Sequence, residues 1–252
     1  APLSSFVFWL LKDLARPSPS KIILLVIDGL GGLPHPQVAK TELEAAGTPN
    51  LDQLAREGIC GLIDPVSRGV TPGSAPGHLA LFGYDPLKFN IGRGVLEALG
   101  IDFDLHSEDV AARGNFCTVD KEGLVTDRRA GRISTKICSE LCQLLSKIDL
   151  GNVESFVVPV REHRFVIVLR GEGLCVDLNE SDPQSEGVAP DTIAPRSPQA
   201  KKTAEIVNQF IARAKVALAD YYPANMILLR GFSKIPHLPT VSEIYKLKPA
   251  AI

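Results

Sequence analysis

The chain has 252 residues, 45% apolar and 22% charged, with 27 Lys and Arg against 29 Asp and Glu for a formal net charge of −2. This is the composition of a folded globular chain, and at this length folding hides roughly 70–75% of the unfolded surface. The near-neutral balance, with no basic stripe, excludes an electrostatic footprint for nucleic acid or an anionic membrane, and no apolar run approaches the ~20 residues of a membrane span.

The chain begins at Ala1, and residues 6–11 are apolar with no basic segment before them. Lys12 and Asp13 follow at once. This predicts a short amphipathic helix packed on the core, not a signal peptide. Residues 16–20, Arg-Pro-Ser-Pro-Ser, read as a linker. A β-branched apolar run over 21–27 then ends in Asp28 and a glycine cluster. It predicts a strand buried on both faces, and hence a parallel sheet. Asp28 falls at the carboxyl end of that strand, where open α/β sheets hold their ligands; a turn or cap aspartate would look the same. Thr48, Pro49 and Gly58 suit the cap, first residue and stop of a short helix leading to a second strand near 60–63.

Residues 69–73 are a Gly/Pro-rich turn, and a helical pattern starts at Ser74. Ser74 is either an ordinary N-cap or a hydroxyl held where N–H groups and the helix dipole favour a phosphoryl anion. No Lys follows as in a phosphate loop, and Pro72 and Pro76 stand where a GxSxG elbow needs glycine. Beyond residue 88, arginines recur beside glycines at Gly92-Arg93-Gly94, Arg113-Gly114 and Asp127-Arg-Arg-Ala-Gly-Arg132. Singly they suit solvated surface groups; clustered, they suit paired-donor recognition of phosphate and carboxylate. Strand signals lie at 156–160 and 163–170, and residues 181–198 form a polar loop. A helix is predicted from about 198 to 218 with Ala204, Val207, Phe210, Ile211 and Ala214 on one stripe, and a buried strand over 225–231. The five cysteines include no CxxC pair; Cys138 and Cys142 are spaced to share one helix face. Their pattern reads as a reducing, cytoplasmic compartment.

Asp28 and Ser74 together suit one mechanism. A divalent cation on the carboxylate can hold a serine oxygen that attacks phosphorus. At this point the motifs amount to a resemblance. Val26-Ile-Asp-Gly-Leu-Gly-Gly32, Lys40-Thr-Glu-Leu-Glu-Ala-Ala46, Thr48-Pro-Asn-Leu-Asp52 and Thr71-Pro-Gly-Ser-Ala-Pro-Gly-His-Leu-Ala-Leu-Phe-Gly-Tyr-Asp-Pro86 are similar to those of archaeal-type 2,3-bisphosphoglycerate-independent phosphoglycerate mutases. So are Ile91-Gly-Arg-Gly94, Asp109-Val-Ala-Ala-Arg-Gly-Asn-Phe116, Asp127-Arg-Arg-Ala-Gly-Arg132 and Ala200-Lys-Lys-Thr-Ala204.

The resemblance implies an alkaline-phosphatase-like α/β fold, with a mostly parallel, incomplete sheet flanked by helices and an inserted α+β cap. Residues 20–86 and 221–252 are expected to form the split core, and 87–220 the cap. It implies a glycolytic isomerase interconverting 3-phosphoglycerate and 2-phosphoglycerate through a phosphoserine, with two divalent ions, manganese, magnesium or zinc. By the same resemblance Ser74 is the nucleophile and a metal ligand, and Asp28 a metal ligand. Arg113, Asn115, Arg128, Arg129 and Arg132 bind substrate, while His78 matches a motif position without an assigned role. The expected partner is phosphoglycerate, with neither nucleic acid nor membrane.

Two departures bear on this expectation. Ala75 and Pro76 follow Ser74, where the family usually carries an acidic residue. The resembling relatives also run on beyond the segment matched by 247–252, and that further length carries most of their metal ligands. A fragment is the favoured reading, a short paralogue that has lost catalysis the rival. The alternatives for function are a phosphatase or phosphonate hydrolase of the same superfamily, and a non-catalytic module binding a phosphorylated acid. A truncated sheet is expected to expose an apolar edge and so to self-associate, leaving a homo-oligomer open.

Overall fold

The computed structural model describes residues 5–27, 29–89 and 91–250. It is a mixed α/β structure in which a five-stranded sheet is flanked by helices. The strands are β1 (Val110–Val119), β2 (Val125–Asp127), β3 (Glu154–Arg161), β4 (Arg164–Arg170) and β5 (Met226–Ser233). β1 lies between β4 and β5, β3 flanks β4, and short β2 folds back on the end of β1. Every pairing is antiparallel, and four of the five strands lie within residues 87–220, where the expectation was an α+β cap. The physical reason is the connections. β3 and β4 are joined through Glu162 and His163, too short for a parallel crossover, which needs a dozen residues or more.

Alternation along the strands gives the sheet two apolar faces. Ala112, Phe116, Phe165, Ile167, Leu169, Ile227 and Leu229 point one way and pack against α6 (Thr135–Leu145) and α7 (Lys201–Ala217). The Phe116 and Phe165 rings meet there with centroids 4.8 Å apart. α6 buries Cys138, Leu141, Cys142 and Leu145, the expected single stripe including both cysteines. Ala111, Val166 and Val168 point the other way, against Val95 and Ala98 of α5 (Arg93–Gly100).

A smaller cluster joins α1 (Ser5–Leu14), α4 (Ser74–Leu81) and α8 (Val241–Tyr245). Phe8, Leu79, Tyr84 and Ile244 are buried in it, so α1 packs as an amphipathic helix. Tyr84 Oη donates to the Pro239 carbonyl at 2.6 Å, and Tyr245 Oη to that of Phe82 at 3.0 Å. The short helices α2 (Glu42–Ala45) and α3 (Pro49–Glu57) lie between these regions in sequence and bury none of their residues. α3 keeps the expected bounds, with Thr48 before it and Gly58 after it.

Three expected strands come out differently. Residues 21–27 form no strand, and their apolar side chains are exposed, Ile23 at 90%. Residues 60–63 likewise form none, with Leu62 fully exposed. Among the described residues neither run has a neighbouring strand to take its N–H and C=O groups, and a lone strand has no ladder. The third, β5, does form. It is bonded to β1, within the sheet of the expected cap and not with residues 20–86. No helix among the described residues is long and apolar enough to cross a membrane.

Candidate functional site

The sheet gathers polar side chains on the face that α5 only partly covers. On β1, Arg113 and Asn115 share the side of Ala111, two and four residues on. Register places Arg113 between Val166 and Arg230, and Asn115 between Arg164 and Leu228. Arg113, Asn115, Arg164 and Arg230 therefore form one patch across three adjacent strands. α5 reaches this patch because two glycines permit close approach. A Cβ on Gly94 would stand 2.2 Å from the Ala111 carbonyl oxygen, and one on Gly231 (φ +66°) 2.7 Å from Cβ of Arg93. The approach sets Arg93 beside the patch and Glu97 Oε1 3.4 Å from Arg113 Nε.

The motif 127–132 is a turn of unusual hand. Ala130, Gly131 and Arg132 have φ of 46°, 61° and 54°, all left-handed, a conformation costly for the two that are not glycine. Asp127 holds the turn. Its carboxylate accepts from the backbone N–H of Arg129 at 2.7 Å and of Gly131 at 2.6 Å. Arg128, Arg129 and Arg132 are thereby splayed from one short loop. Arg128 forks onto Asp182, at 3.0 Å through Nε and 2.7 Å through Nη2, while Arg132 lies 3.7 Å from Glu162.

Electrostatically the patch is primed for an anion. Burial pulls the Arg113 guanidinium below its usual pKa; Glu97 opposes this, and Arg164, Arg93 and Arg230 reinforce it. Glu97 lies against Arg113, and Glu180 and Asp182 against Arg230, at 3.4–3.7 Å. Among the described residues the Nε groups of Arg113 and Arg230 are buried without a hydrogen-bond partner, and so is Oδ1 of Asn115. Orphaned polar atoms converging on one face suit a ligand that carries charge and hydroxyl groups. His163, at the β3–β4 turn, is pushed down to about 4, by burial first and then by Arg164, with Glu162 opposing and Arg129 and Arg113 adding. It is therefore neutral at pH 7. Of two hollows, of about 300 and 530 Å³, the second adjoins Arg230 through Glu180, Asp182 and Gly231, and with Asp177 and Asp191 its lining is mainly acidic.

Of the residues expected at the site, the structure brings Arg113 and Asn115 onto one face. It places Arg128, Arg129 and Arg132 on one strained turn, and Asp182 links that turn to the face by contacting both Arg128 and Arg230. Asp28 lies outside the described residues. Ser74 begins α4, after Gly73 as N-cap, but its side chain is likewise outside what the structure describes. His78 sits one turn along the same helix. Among the described residues no group of three or more His, Cys, Asp or Glu side chains could hold a metal ion. Two divalent ions need about four to six donors each, and the described residues do not by themselves supply such a set. The sequence reading missed Arg164, Arg230 and Asp182. The first two carried a signal, being charged residues inside or at the end of apolar strand runs, whereas Asp182 sits in a loop with no periodicity.

The described site is thus a sheet face of converging arginines, with Ser74 at the start of a separate helix, α4. Comparison with known proteins gives the family. Residues 55–224 match the family model for 2,3-bisphosphoglycerate-independent phosphoglycerate mutase. A probable enzyme of that name from Thermus thermophilus is 48% identical over 250 residues, covering 98% of this chain and 61% of the relative. One from Aquifex aeolicus is 47% identical over 253 residues, covering 96% and 61%. Among solved structures, a cofactor-independent phosphoglycerate mutase from Thermoplasma acidophilum is similar at a TM-score of 0.59 and 36% identity, covering 88% of this chain and 61% of that one. A Pyrococcus horikoshii protein is similar at 0.69 and 30%, covering 87% and 53%. The chain belongs to the 2,3-bisphosphoglycerate-independent phosphoglycerate mutase family. It spans about 61% of the length of the curated relatives it matches.

Proposed function

We propose that this chain carries the substrate-gripping part of a phosphoglycerate mutase acting in glycolysis, in the cytoplasm, on 3-phosphoglycerate and 2-phosphoglycerate. The observation that carries the reading is the patch of Arg113, Asn115, Arg164 and Arg230, with unbonded polar atoms converging on one face of the sheet. A phosphoglycerate offers a phosphate, a carboxylate and a hydroxyl. Guanidinium groups take the first two by paired N–H donors, and the free amide oxygen of Asn115 takes the hydroxyl. Arg129 and Arg132, splayed by the left-handed turn, are placed to close over the bound acid.

Ser74 is the phosphoryl acceptor in this reading. Its oxygen forms a bond to phosphorus as the substrate C–O–P bond breaks, and the freed glycerate oxygen takes a proton. The glycerate turns, its other hydroxyl attacks the phosphoserine, and Ser74 is restored. Water must be kept out meanwhile, or the phosphoserine hydrolyses. Residues 20–86 and the last segment of the chain belong, in this proposal, to an alkaline-phosphatase-like core, and the sheet unit with β5 to the inserted cap. Divalent ions, manganese, magnesium or zinc, are assigned to the longer protein, with Asp28 and Ser74 as the contribution of this chain. The exposed run at 22–27 makes self-association the expected state of the chain alone.

The test is mass spectrometry of a full-length protein containing this sequence, trapped with 3-phosphoglycerate. Phosphate on Ser74 is expected; phosphate elsewhere ends the assignment. The Ala75-Pro76 pair after Ser74 keeps a second outcome in view. Release of inorganic phosphate without 2-phosphoglycerate would make the protein a hydrolase of the same superfamily.

A further inference from the structure

We infer that Asp182 is a positioning residue of the arginine face, tying Arg128 on the left-handed turn to Arg230 on β5 and so fixing how both present their remaining N–H donors. The inference rests on the reading of that face as the phosphoglycerate grip. The Asp182 side chain is 0% exposed. Its Oδ1 accepts from Arg128 Nε at 3.0 Å and from the Gln184 backbone N–H at 2.9 Å. Its Oδ2 accepts from Arg128 Nη2 at 2.7 Å and from Arg230 Nη1 at 3.4 Å. Both oxygens are thus occupied by protein donors, so Asp182 acts through the arginines.

The segment that carries Asp182 is pinned to β5 by the two residues before it. The Ser181 N–H donates to the Leu229 carbonyl at 2.9 Å, and the Leu229 N–H donates to Ser181 Oγ at 2.7 Å. Glu180 Oε1 accepts from the Gly231 N–H at 3.0 Å. Residues 180, 182 and 184 consequently all face Arg230, with Glu180 Oε2 3.7 Å from its Nε and Gln184 Oε1 3.4 Å from its Nη2. None of these longer contacts has the geometry of the Arg128 fork. Arg230 is steered, not satisfied, and its Nε remains without a hydrogen-bond partner.

The arrangement answers a physical difficulty. The turn over 127–132 is strained at 130–132 and carries three cations, and Asp127 secures its backbone without orienting its side chains. Arg128 would otherwise be free to swing, and would repel Arg230. A buried carboxylate shared by the two cancels one charge and sets the distance between turn and sheet. Arginine pairing also holds the Asp182 carboxyl below its usual range despite the opposing effect of burial, so it is ionised at neutral pH.

The experiment compares this chain with its Asp182→Asn, Asp182→Glu and Arg128→Ala forms. Arginine Nε–H resonances are followed by NMR, with inorganic phosphate and then 3-phosphoglycerate as probes. In Asp182→Asn the Arg128 and Arg230 resonances should move together, while the rest of the arginine spectrum and a cooperative, somewhat lower melting transition show that the sheet is still folded. Apparent affinity for both anions should fall about tenfold or more, because small misplacements of a grip have large effects. Asp182→Glu should recover part of the loss. Adding Arg128→Ala to Asp182→Asn should weaken binding little further, since the two act through one link. In the full-length protein the same change should raise KM more than it lowers kcat. Movement of the Arg128 resonance alone, or fully additive losses, would overturn the inference. If the parent chain binds neither anion, the phosphoglycerate reading fails, while the link still stands or falls on whether the Arg230 resonance follows Asp182.

Discussion

Two stretches of this chain carry nearly the same apolar pattern and meet opposite fates. Residues 22–27 read Ile-Ile-Leu-Leu-Val-Ile and lie exposed, while residues 165–169 read Phe-Val-Ile-Val-Leu and are all buried. Composition does not separate them. Partners do: β4 has β1 on one side and β3 on the other, and helices or side chains over both faces. The run at 22–27 has no neighbouring strand among the described residues. The chain spans about 61% of its relatives' length. In our proposal, partners for 22–27 come from length of that kind. β-propensity therefore marks where a strand can form, and pairing decides whether it does.

The contrast can be broken most severely by mutation. Phe165→Ala should destabilise the sheet unit by about 3–5 kcal/mol, since it empties a site packed on Phe116. Ile23→Ala should cost less than about 0.5 kcal/mol. Equal effects in denaturant titrations would show that 22–27 is packed after all. Next in size is the ion pair that holds β4 to the loop before β1. Asp109 is buried and forks onto Arg170 at 2.8 and 2.7 Å, so Asp109→Ala, which removes both bonds, should destabilise the sheet unit by less than Phe165→Ala and by more than Ile23→Ala.

Acid should act on the sheet unit in two stages. His163 has a folded pKa of about 4, below the usual 6.5 of a histidine, so the unfolded chain gains the proton first. Stability should fall as pH drops from about 6.5 toward 4, and His163→Gln should remove that part. Burial pushes the Asp109 and Asp182 carboxyls up, but the bonds and charge of Arg170 and Arg128, with a backbone N–H each, together outweigh it and hold both below their usual range. Their contribution is present above the unfolded pKa near 4 and is lost as pH falls through the lower folded values. Melting midpoints measured across this range would show one decline if His163 were solvated, and two if it is buried as described. The mildest probe is thiol labelling. Cys60, in the exposed region, should react at the rate of a free thiol, while Cys117, Cys138 and Cys142 stay protected until the sheet opens.

The sequence made the helices and hairpin strands legible because their signals are local: the stripe of α7, the Cys138–Leu145 face, and the alternation of 156–170. It pointed to the Arg113, Asn115 and 127–132 motifs by resemblance. It could not show that Asn115 stands beside Arg164, or Arg113 beside Arg230, because register is a property of paired strands. A two-residue link between β3 and β4 fixes their antiparallel direction, whereas the apolar run at 22–27 has no described pairing from which a direction could be read. Asp182 was invisible because its value lies in what two distant arginines do around it.

The central claim is that the face built by β1, β4 and β5 grips a phosphorylated acid. Its most direct test is titration of this chain with 3-phosphoglycerate while arginine side-chain resonances are observed. The account predicts saturable shifts at Arg113, Arg164 and Arg230, none from residues 22–27, and loss of binding in Arg113→Ala. Binding that leaves those three resonances unmoved, or that survives Arg113→Ala undiminished, would contradict it.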